Sequence, residues 1–177
     1  PVSSMLGWRD AFVARGEQLT RLPATALPSQ LFLGALGMPG MTAWAGLHKV
    51  ARLQAGETLL VSAASGAVGT MAVQLAKRAG ARVIGSTGSA DKVAYLKTLG
   101  ADAVINYRET PDLDAELARL APEGIQVYFE NVGGAMLDAA LNNMALHGRI
   151  VLCGLIEQYN SNGQGSGPRN LSQMIRK

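Results

Sequence analysis

The sequence predicts an α/β fold, a doubly wound parallel sheet, and three observations carry that prediction. After residue 56, short apolar runs rich in β-branched residues alternate with amphipathic helical patterns. Glycines stand where the helices should end. A glycine-bearing turn joins the first of these strands to the first helix.

The strands read at 58–63, 82–87, 103–106, 127–130 and 149–154. Their continuous apolar character is that of strands covered on both faces. Helices read at 67–79, 91–99, 112–121 and 135–146. In the first of them Val68, Ala72, Leu75, Ala76 and Ala79 share one stripe, which should face the sheet. Gly80, Gly100 and Gly148 each follow a helix, where a left-handed cap needs no Cβ. Asp91 is the expected N-cap of the second helix, and Pro111 stands before the third. Such alternation implies right-handed crossovers and a parallel sheet.

The flanks do not fit that unit. Residues 8–13 and 18–22 read as short strands with no sheet of their own. Residues 155–169 are rich in Gln, Asn, Ser and Gly, 160–167 reads as a mobile loop, and a new helix is expected near Leu171. With Pro1 rather than Met at the start, both ends read as cut from a larger protein.

Composition removes several function classes. The 177 residues carry 16 Lys and Arg against 13 Asp and Glu, and charged residues make up only 16%, below the ~25% of an ordinary domain. Up to Gly88 there are 8 basic and 3 acidic residues; from Ser89 onward there are 8 and 10. Residues 22–48 and 58–76 carry no Asp, Glu, Lys or Arg. A net charge of +3, no basic run longer than Lys77-Arg78 and 5% aromatics make a poor nucleic-acid surface. The single Cys153 cannot form an internal disulfide or a Cys-based zinc site. The uncharged stretch 58–76 has the length of a membrane span. However, it holds Ser62, Ser65, Gly66, Gly69, Thr70 and Gln74 and changes from a strand to a helix pattern midway. The expectation is a cytoplasmic protein with neither nucleic acid nor membrane as its partner, since no charged-then-apolar leader precedes the domain.

The turn after the first strand reads Ala64-Ser65-Gly66-Ala67-Val68-Gly69, a G-x-G-x-x-G with Ala64 in its first position. Gly66 lets a pyrophosphate approach the backbone, and Gly69 lets the helix pack against the strand. The free N–H groups of the helix's first turn then face the phosphates. A tight turn without a ligand is the alternative. An NAD site wants a carboxylate about 20 residues on. Here the second strand ends Ser86-Thr87-Gly88-Ser89, and Lys92 comes shortly after. Hydroxyls, a helix N-terminus and an ammonium favour a 2′-phosphate, hence NADP(H). The alternative for Lys92 is a solvated surface lysine.

Two other enzyme classes compete. Short-chain dehydrogenases need Tyr-x-x-x-Lys, and none of Tyr95, Tyr107, Tyr128 or Tyr159 has a Lys four residues later. A hydrolase elbow is imitated by Ala63-Ala64-Ser65-Gly66-Ala67, with Asp102, Asp138 and His147 downstream in order. His147, placed at a helix end beside Gly148, is read instead as a cap for helix carbonyls.

Four blocks in order carry a resemblance. They are Leu36-Gly37-Met38-Pro39-Gly40-Met41-Thr42-Ala43; Ala55-Gly56-Glu57-Thr58 leading into the glycine turn; Tyr128–Gly134; and Cys153–Asn160. Together they resemble the zinc-independent medium-chain dehydrogenases/reductases, in the branch of prostaglandin reductases, plant double-bond reductases and curcumin reductases. The resemblance implies a two-domain reductase that saturates the C=C bond of α,β-unsaturated ketones and aldehydes with NADPH, with no metal. It implies residues 1–22 as a remnant of a catalytic domain, 23–157 as a Rossmann-type NADP-binding domain, and 158–177 as a loop leading back. It implies that Lys92 and Tyr107 hold the 2′-phosphate, alongside Thr87 and Gly88, and that Ser65, Gly66, Ala67, Val68 and Gly69 form the phosphate turn. Asn131 would lie near the nicotinamide, with the backbone around Cys153 on its amide. Met38 and Thr42 would line the cleft floor, and Tyr159 would sit by the ribose and the substrate oxygen. Relatives often carry Tyr at the position of Trp44. A homodimer through a sheet edge is also implied.

The residues themselves fit those roles. Hydride delivery to an enone leaves an enolate oxygen that wants a donor. Tyr159 comes after the carboxyl end of the last strand, where such sheets bind ligands. A loop tyrosine packed on the surface is the alternative, as a turn-forming residue is for Asn131. Cys153 reads as buried strand core and Glu130 as a structurally paired acid. A quinone oxidoreductase of the same superfamily and an NADP(H)-sensing module without chemistry are the rival functions.

Overall fold

The computed structural model describes every residue except Trp8 and residues 162–166. The N-terminal segment closes a small antiparallel pair, β1 (Val2–Ser3) with β2 (Thr20–Arg21). After a 3-10 turn at Ser29–Leu33 comes α1 (Met38–Trp44), which continues as a π-helical segment, Ala45–Val50. The wound unit then runs β3 (Thr58–Val61), α2 (Ala67–Arg78), β4 (Arg82–Thr87), α3 (Ala90–Thr98) and β5 (Ala103–Asn106). It continues α4 (Leu113–Leu120), β6 (Ile125–Glu130), α5 (Gly134–Asn143) and β7 (Met144–Leu152), with a final 3-10 turn at Leu171–Ile175.

The sheet is parallel throughout, in the order β5-β4-β3-β6-β7. Winding therefore starts at β3, runs outward to β5 and resumes on the other side at β6. The carboxyl ends of β3 and β6 lie side by side at the reversal, where a crevice must open. Strand alternation splits the core into two layers. Leu59, Val61, Val83, Val127 and Phe129 pack with Ala72, Val73 and Ala76 of α2 and with Ala43 and Leu47. Leu60, Ile84, Ile105 and Tyr128 pack with Leu117 of α4 and Met136, Leu137 and Ala140 of α5. The uncharged stretch 58–76 thus spans the buried strand, the turn and the central helix. The 22–48 stretch has two sides. Ala43 and Leu47 are buried, while Met38, Met41 and Trp44 are exposed.

Several expectations need correction. The last helix stops at Asn143, and residues 144–148, expected as helix and cap, begin β7. Met144 pairs with Ile125 across a register shift, so sheet pairing overrides a helical pattern in the sequence. His147 therefore caps no helix. It sits within β7 at φ 60° and its N–H donates to the carbonyl of Lys177. Gly148 is no left-handed cap, although Gly80 and Gly100 are, at φ 81° and 94°. A Cβ on Gly148 would meet Met144 Cε at 2.6 Å and two backbone oxygens. The N-cap of α3 is Ser89, with Asp91 inside its first turn, while Asp112 caps α4 by accepting from Ala115 N–H. Residues 9–13 form no strand, and the strands that do form near the start have a sheet of their own. Cys153 lies just past β7, half-buried. The expected loop at 160–167 falls mostly outside the described residues.

Candidate functional site

A cleft of about 470 Å³ lies along the carboxyl ends of the strands. Each strand end contributes to its wall: Ala63 and Ser65 after β3, Thr87 and Gly88 at β4, and Tyr107 after β5. Val132 and Gly133 after β6, and Ile156 and Glu157 after β7, complete it.

The turn after β3 owes its shape to sterics. Ala63, not Ala64, takes the left-handed conformation, at φ 47°. Ala64 is fully buried, its N–H donates to Ser86 O at 2.9 Å, and its Cβ faces Gly85. Alanine is therefore accommodated at the first motif position because the strain sits one residue earlier. Gly69 is a steric necessity, since a Cβ there would run into Ala63 O and lie 2.7 Å from Ala64 Cα. Gly66 is the N-cap of α2 at φ −78°, and a Cβ would meet only Ala63 O, at 3.2 Å. Apart from that one contact the fold leaves room for a side chain there, so the steric demand for glycine is far weaker than at Gly69. The first N–H groups of the twelve-residue α2 open beside it.

The far wall is built on β4. Ser65 Oγ and Thr87 Oγ1 share a hydrogen bond of 2.9 Å across the cleft mouth. Tyr107 N–H donates to Thr87 O at 3.0 Å, which brings the ring over Gly88. A Cβ on Gly88 would fall 2.7 Å from the Tyr107 hydroxyl oxygen. Lys92, in the first turn of α3, lines the same wall and is exposed. No hydrogen bond or ion pair joins it to any described residue. An unpartnered ammonium, a phenol and two hydroxyls thus line the cleft around the end of β4, while the carboxylate in its lining, Glu157, stands on the other side, against Gly134. Such a wall suits an anion.

Asn131, Cys153 and Tyr159 lie at the ends of β6 and β7 rather than in the lining of this cleft. Asn131 N–H donates to Ser62 Oγ at 2.8 Å and its Nδ2 to Ser62 O at 2.7 Å. The N–H groups of Cys153 and Gly154 both donate to Glu130 O. Burial pushes the Cys153 thiol above its usual range, which suits a packed side chain and not a nucleophile. Tyr159 is 66% exposed, and its phenol oxygen accepts from Leu155 N–H at 3.2 Å. That contact leaves the phenolic proton available. Met38 and Thr42 lie on α1, with Met38 70% exposed.

The hydrolase arrangement is not present. His147 lies near the amino end of β7, and Asp102 precedes β5, where it binds Lys77 at 2.8 Å. Ser65 is at the opposite, carboxyl edge of the sheet. Asp138 is taken up by Arg169.

Sequence reasoning missed Val132, Met136, Ile156 and Glu157 of the cleft wall, and it missed the hydrogen bonds of the buried Glu130. Among the described residues no cation pairs with Glu130. It accepts from Ser62 Oγ, Tyr128 Oη and Val132 N–H. A lone acid inside an apolar strand already marked it as structurally paired; its partners, distant in the chain, were not legible.

The profile of the zinc-binding dehydrogenase family matches residues 67–176. A 2-alkenal reductase (NADP(+)-dependent) of Nicotiana tabacum is 49% identical over 99% of this chain and 52% of its own length. Prostaglandin reductase 1 of Mus musculus is 44% identical over 94% of this chain and 53% of its own. Among solved structures, CurA from Vibrio vulnificus in complex with NADPH superposes with a TM-score of 0.77 at 42% identity, covering 86% of this chain and 46% of that one. The chain spans about half the length of the curated relatives it matches. Among the described residues no group of three or more His, Cys, Asp or Glu could hold a metal ion, and no helix is long and apolar enough to cross a membrane. The family match starts at the first residue of α2, inside the glycine turn, and runs through the winding that builds the cleft: the chain belongs to the zinc-binding dehydrogenase family.

Proposed function

We propose that this chain is the NADP(H)-binding half of a reductase acting on the C=C bond of α,β-unsaturated ketones and aldehydes. The observation that carries the reading is the wall at the end of β4, where Lys92 and Tyr107 flank Thr87 and Gly88, with the carboxylate of the lining, Glu157, on the opposite side against Gly134. Names of relatives that include NADP and alkenal reduction support it.

Lys92 and the Tyr107 hydroxyl take the 2′-phosphate. Gly66, Ala67, Val68 and Gly69 offer backbone N–H groups to the pyrophosphate, with Ser65 and Thr87 beside them. Asn131 and the backbone at Cys153 serve the nicotinamide end, above a floor to which α1 contributes Met38 and Thr42. When bound, NADPH supplies the hydride for the β-carbon. The chain's own contribution at that step is the Tyr159 phenol, which donates a hydrogen bond to the oxygen on which enolate charge develops. Residues 1–22 and 158–177 belong to the passages to and from a catalytic domain, and 23–157 are the cofactor domain. The edge strand β7, which has no further strand on its outer side among the described residues, is the surface for a homodimer.

Titrating the chain with NADPH and NADH tests the cofactor half, with preference for NADPH expected and equal affinity refuting it. Supplying the full-length protein with NADPH and an enone, a quinone or no acceptor tests the chemistry. Turnover confined to the enone supports the proposal. Turnover confined to the quinone makes it a quinone oxidoreductase, and binding without turnover makes it a sensor.

A further inference from the structure

We propose that Glu130 is a positioning residue for the cofactor cleft: through Ser62 it sets the backbone of Asn131, and by direct contact it sets Val132. The inference rests on the reading above, in which Asn131 serves the nicotinamide end. Glu130 has 0% exposure, at the carboxyl end of β6. Other acids of the described residues, Glu57, Asp102, Glu116 and Asp138, pair with Arg149, Lys77, Arg119 and Arg169. Among the described residues Glu130 has no such cation. Burying a carboxylate without one is costly, and an apolar residue would pack there more cheaply.

The donors around it explain its presence. One carboxylate oxygen accepts from Ser62 Oγ at 2.8 Å and from Val132 N–H at 2.5 Å. The other accepts from Tyr128 Oη at 2.8 Å. All three are donors, as an acceptor-only carboxylate requires. Because Ser62 spends its proton on Glu130, its lone pairs face Asn131, whose N–H donates to it at 2.8 Å. Asn131 Nδ2 is spent on Ser62 O at 2.7 Å. What remains of the Asn131 amide is Oδ1, which receives no hydrogen bond among the described residues, so the side chain offers an acceptor to a ligand hydroxyl. The backbone carbonyl of Glu130 also holds Cys153 and Gly154 through their N–H groups, at 2.9 and 3.0 Å. One buried residue thus ties together the ends of β3, β6 and β7 at the edge of the cleft.

The test uses two probes, NADPH and adenosine 2′,5′-bisphosphate, which lacks the nicotinamide half. Both are titrated calorimetrically into the chain and its variants, with folding checked by circular dichroism. Ser62→Ala is expected to weaken NADPH by about tenfold, the scale of one well-placed hydrogen bond, and to leave the bisphosphate unchanged. Glu130→Leu is expected to do the same. Glu130→Gln, which keeps an oxygen toward Ser62 and Val132, should restore most of the lost NADPH affinity and stands in if Glu130→Leu does not fold. Tyr128→Phe removes the donor on the other oxygen and should lower stability without altering either affinity. Parallel loss of both probes in Ser62→Ala and Glu130→Leu, or no loss in either, overturns the inference alone. Failure of the unmodified chain to bind either probe overturns the cofactor reading and this inference with it.

Discussion

Gly69 and Gly66 stand three residues apart in one motif, yet the structure gives them separate tasks. A methyl group at Gly69 would run into Ala63 O and lie 2.7 Å from both Ala64 Cα and Ala64 O. All three are backbone atoms, so relief requires α2 to move away from β3 by about an ångström, loosening a close-packed layer. Overpacking of that kind costs typically 1–3 kcal/mol, and the severity of the contacts places this site near the top. Replacing helical Gly by Ala returns about 1 kcal/mol. The expected net loss for Gly69→Ala is therefore about 2 kcal/mol. Gly66→Ala meets a single oxygen at 3.2 Å with φ at −78°, so its stability should stay within about 0.5 kcal/mol of the unmodified chain. Cofactor affinity should reverse the order of loss: the Gly66 variant places its methyl where the pyrophosphate must approach, and binding should fall by at least about tenfold. Urea unfolding monitored by circular dichroism, paired with NADPH titration, reads both quantities. A Gly69→Ala chain as stable as the original would refute the steric reasoning, and unimpaired NADPH binding by Gly66→Ala would refute the placement of the pyrophosphate.

Three further outcomes are expected. Lys92→Ala should weaken NADPH by roughly 1–3 kcal/mol, for a lost charge-assisted contact, and leave NADH untouched. Equal effects on the two nucleotides would remove Lys92 from the 2′-phosphate site. Ala63→Gly should stabilise the chain by up to about 1 kcal/mol, since relief of left-handed strain outweighs the added freedom of the unfolded chain. Thermal unfolding checks it. At Asp102 burial raises the carboxyl pKa, but Lys77, the Val83 N–H and Arg82 outweigh it and hold it below the ordinary value of 3.8. Because the folded value is the lower one, the Lys77–Asp102 pair adds stability that is present well above pH 3.8 and is lost as pH falls through the folded value. At a partly exposed site that contribution is under about 1 kcal/mol. Asp102→Asn should flatten this part of the acid-unfolding profile, and an unchanged profile would count against the pair.

The sequence alone determined the winding, because its signals are local. Apolar β-branched runs, amphipathic stripes and the glycines at 80 and 100 report conformations set within a few residues. The glycine turn between β3 and α2, and the place of Lys92 just after β4, were legible for the same reason. The tertiary structure decided whatever depends on partners distant in the chain. Met144 to Gly148 join the sheet because Ile125 and its neighbours supply pairing that a helical pattern cannot outweigh. The left-handed residue is Ala63 rather than the motif's first position because Ala64 has to fit beneath Gly85 and bond Ser86. Tyr107 lies over Gly88 only once β4 and β5 pair. The role of Glu130 emerges only when Ser62, 68 residues earlier, meets it across the sheet. Sequence encodes the backbone choices that each residue makes with its neighbours. Which distant donor satisfies a buried acceptor is settled by packing, since only the closed fold removes the water that would otherwise serve.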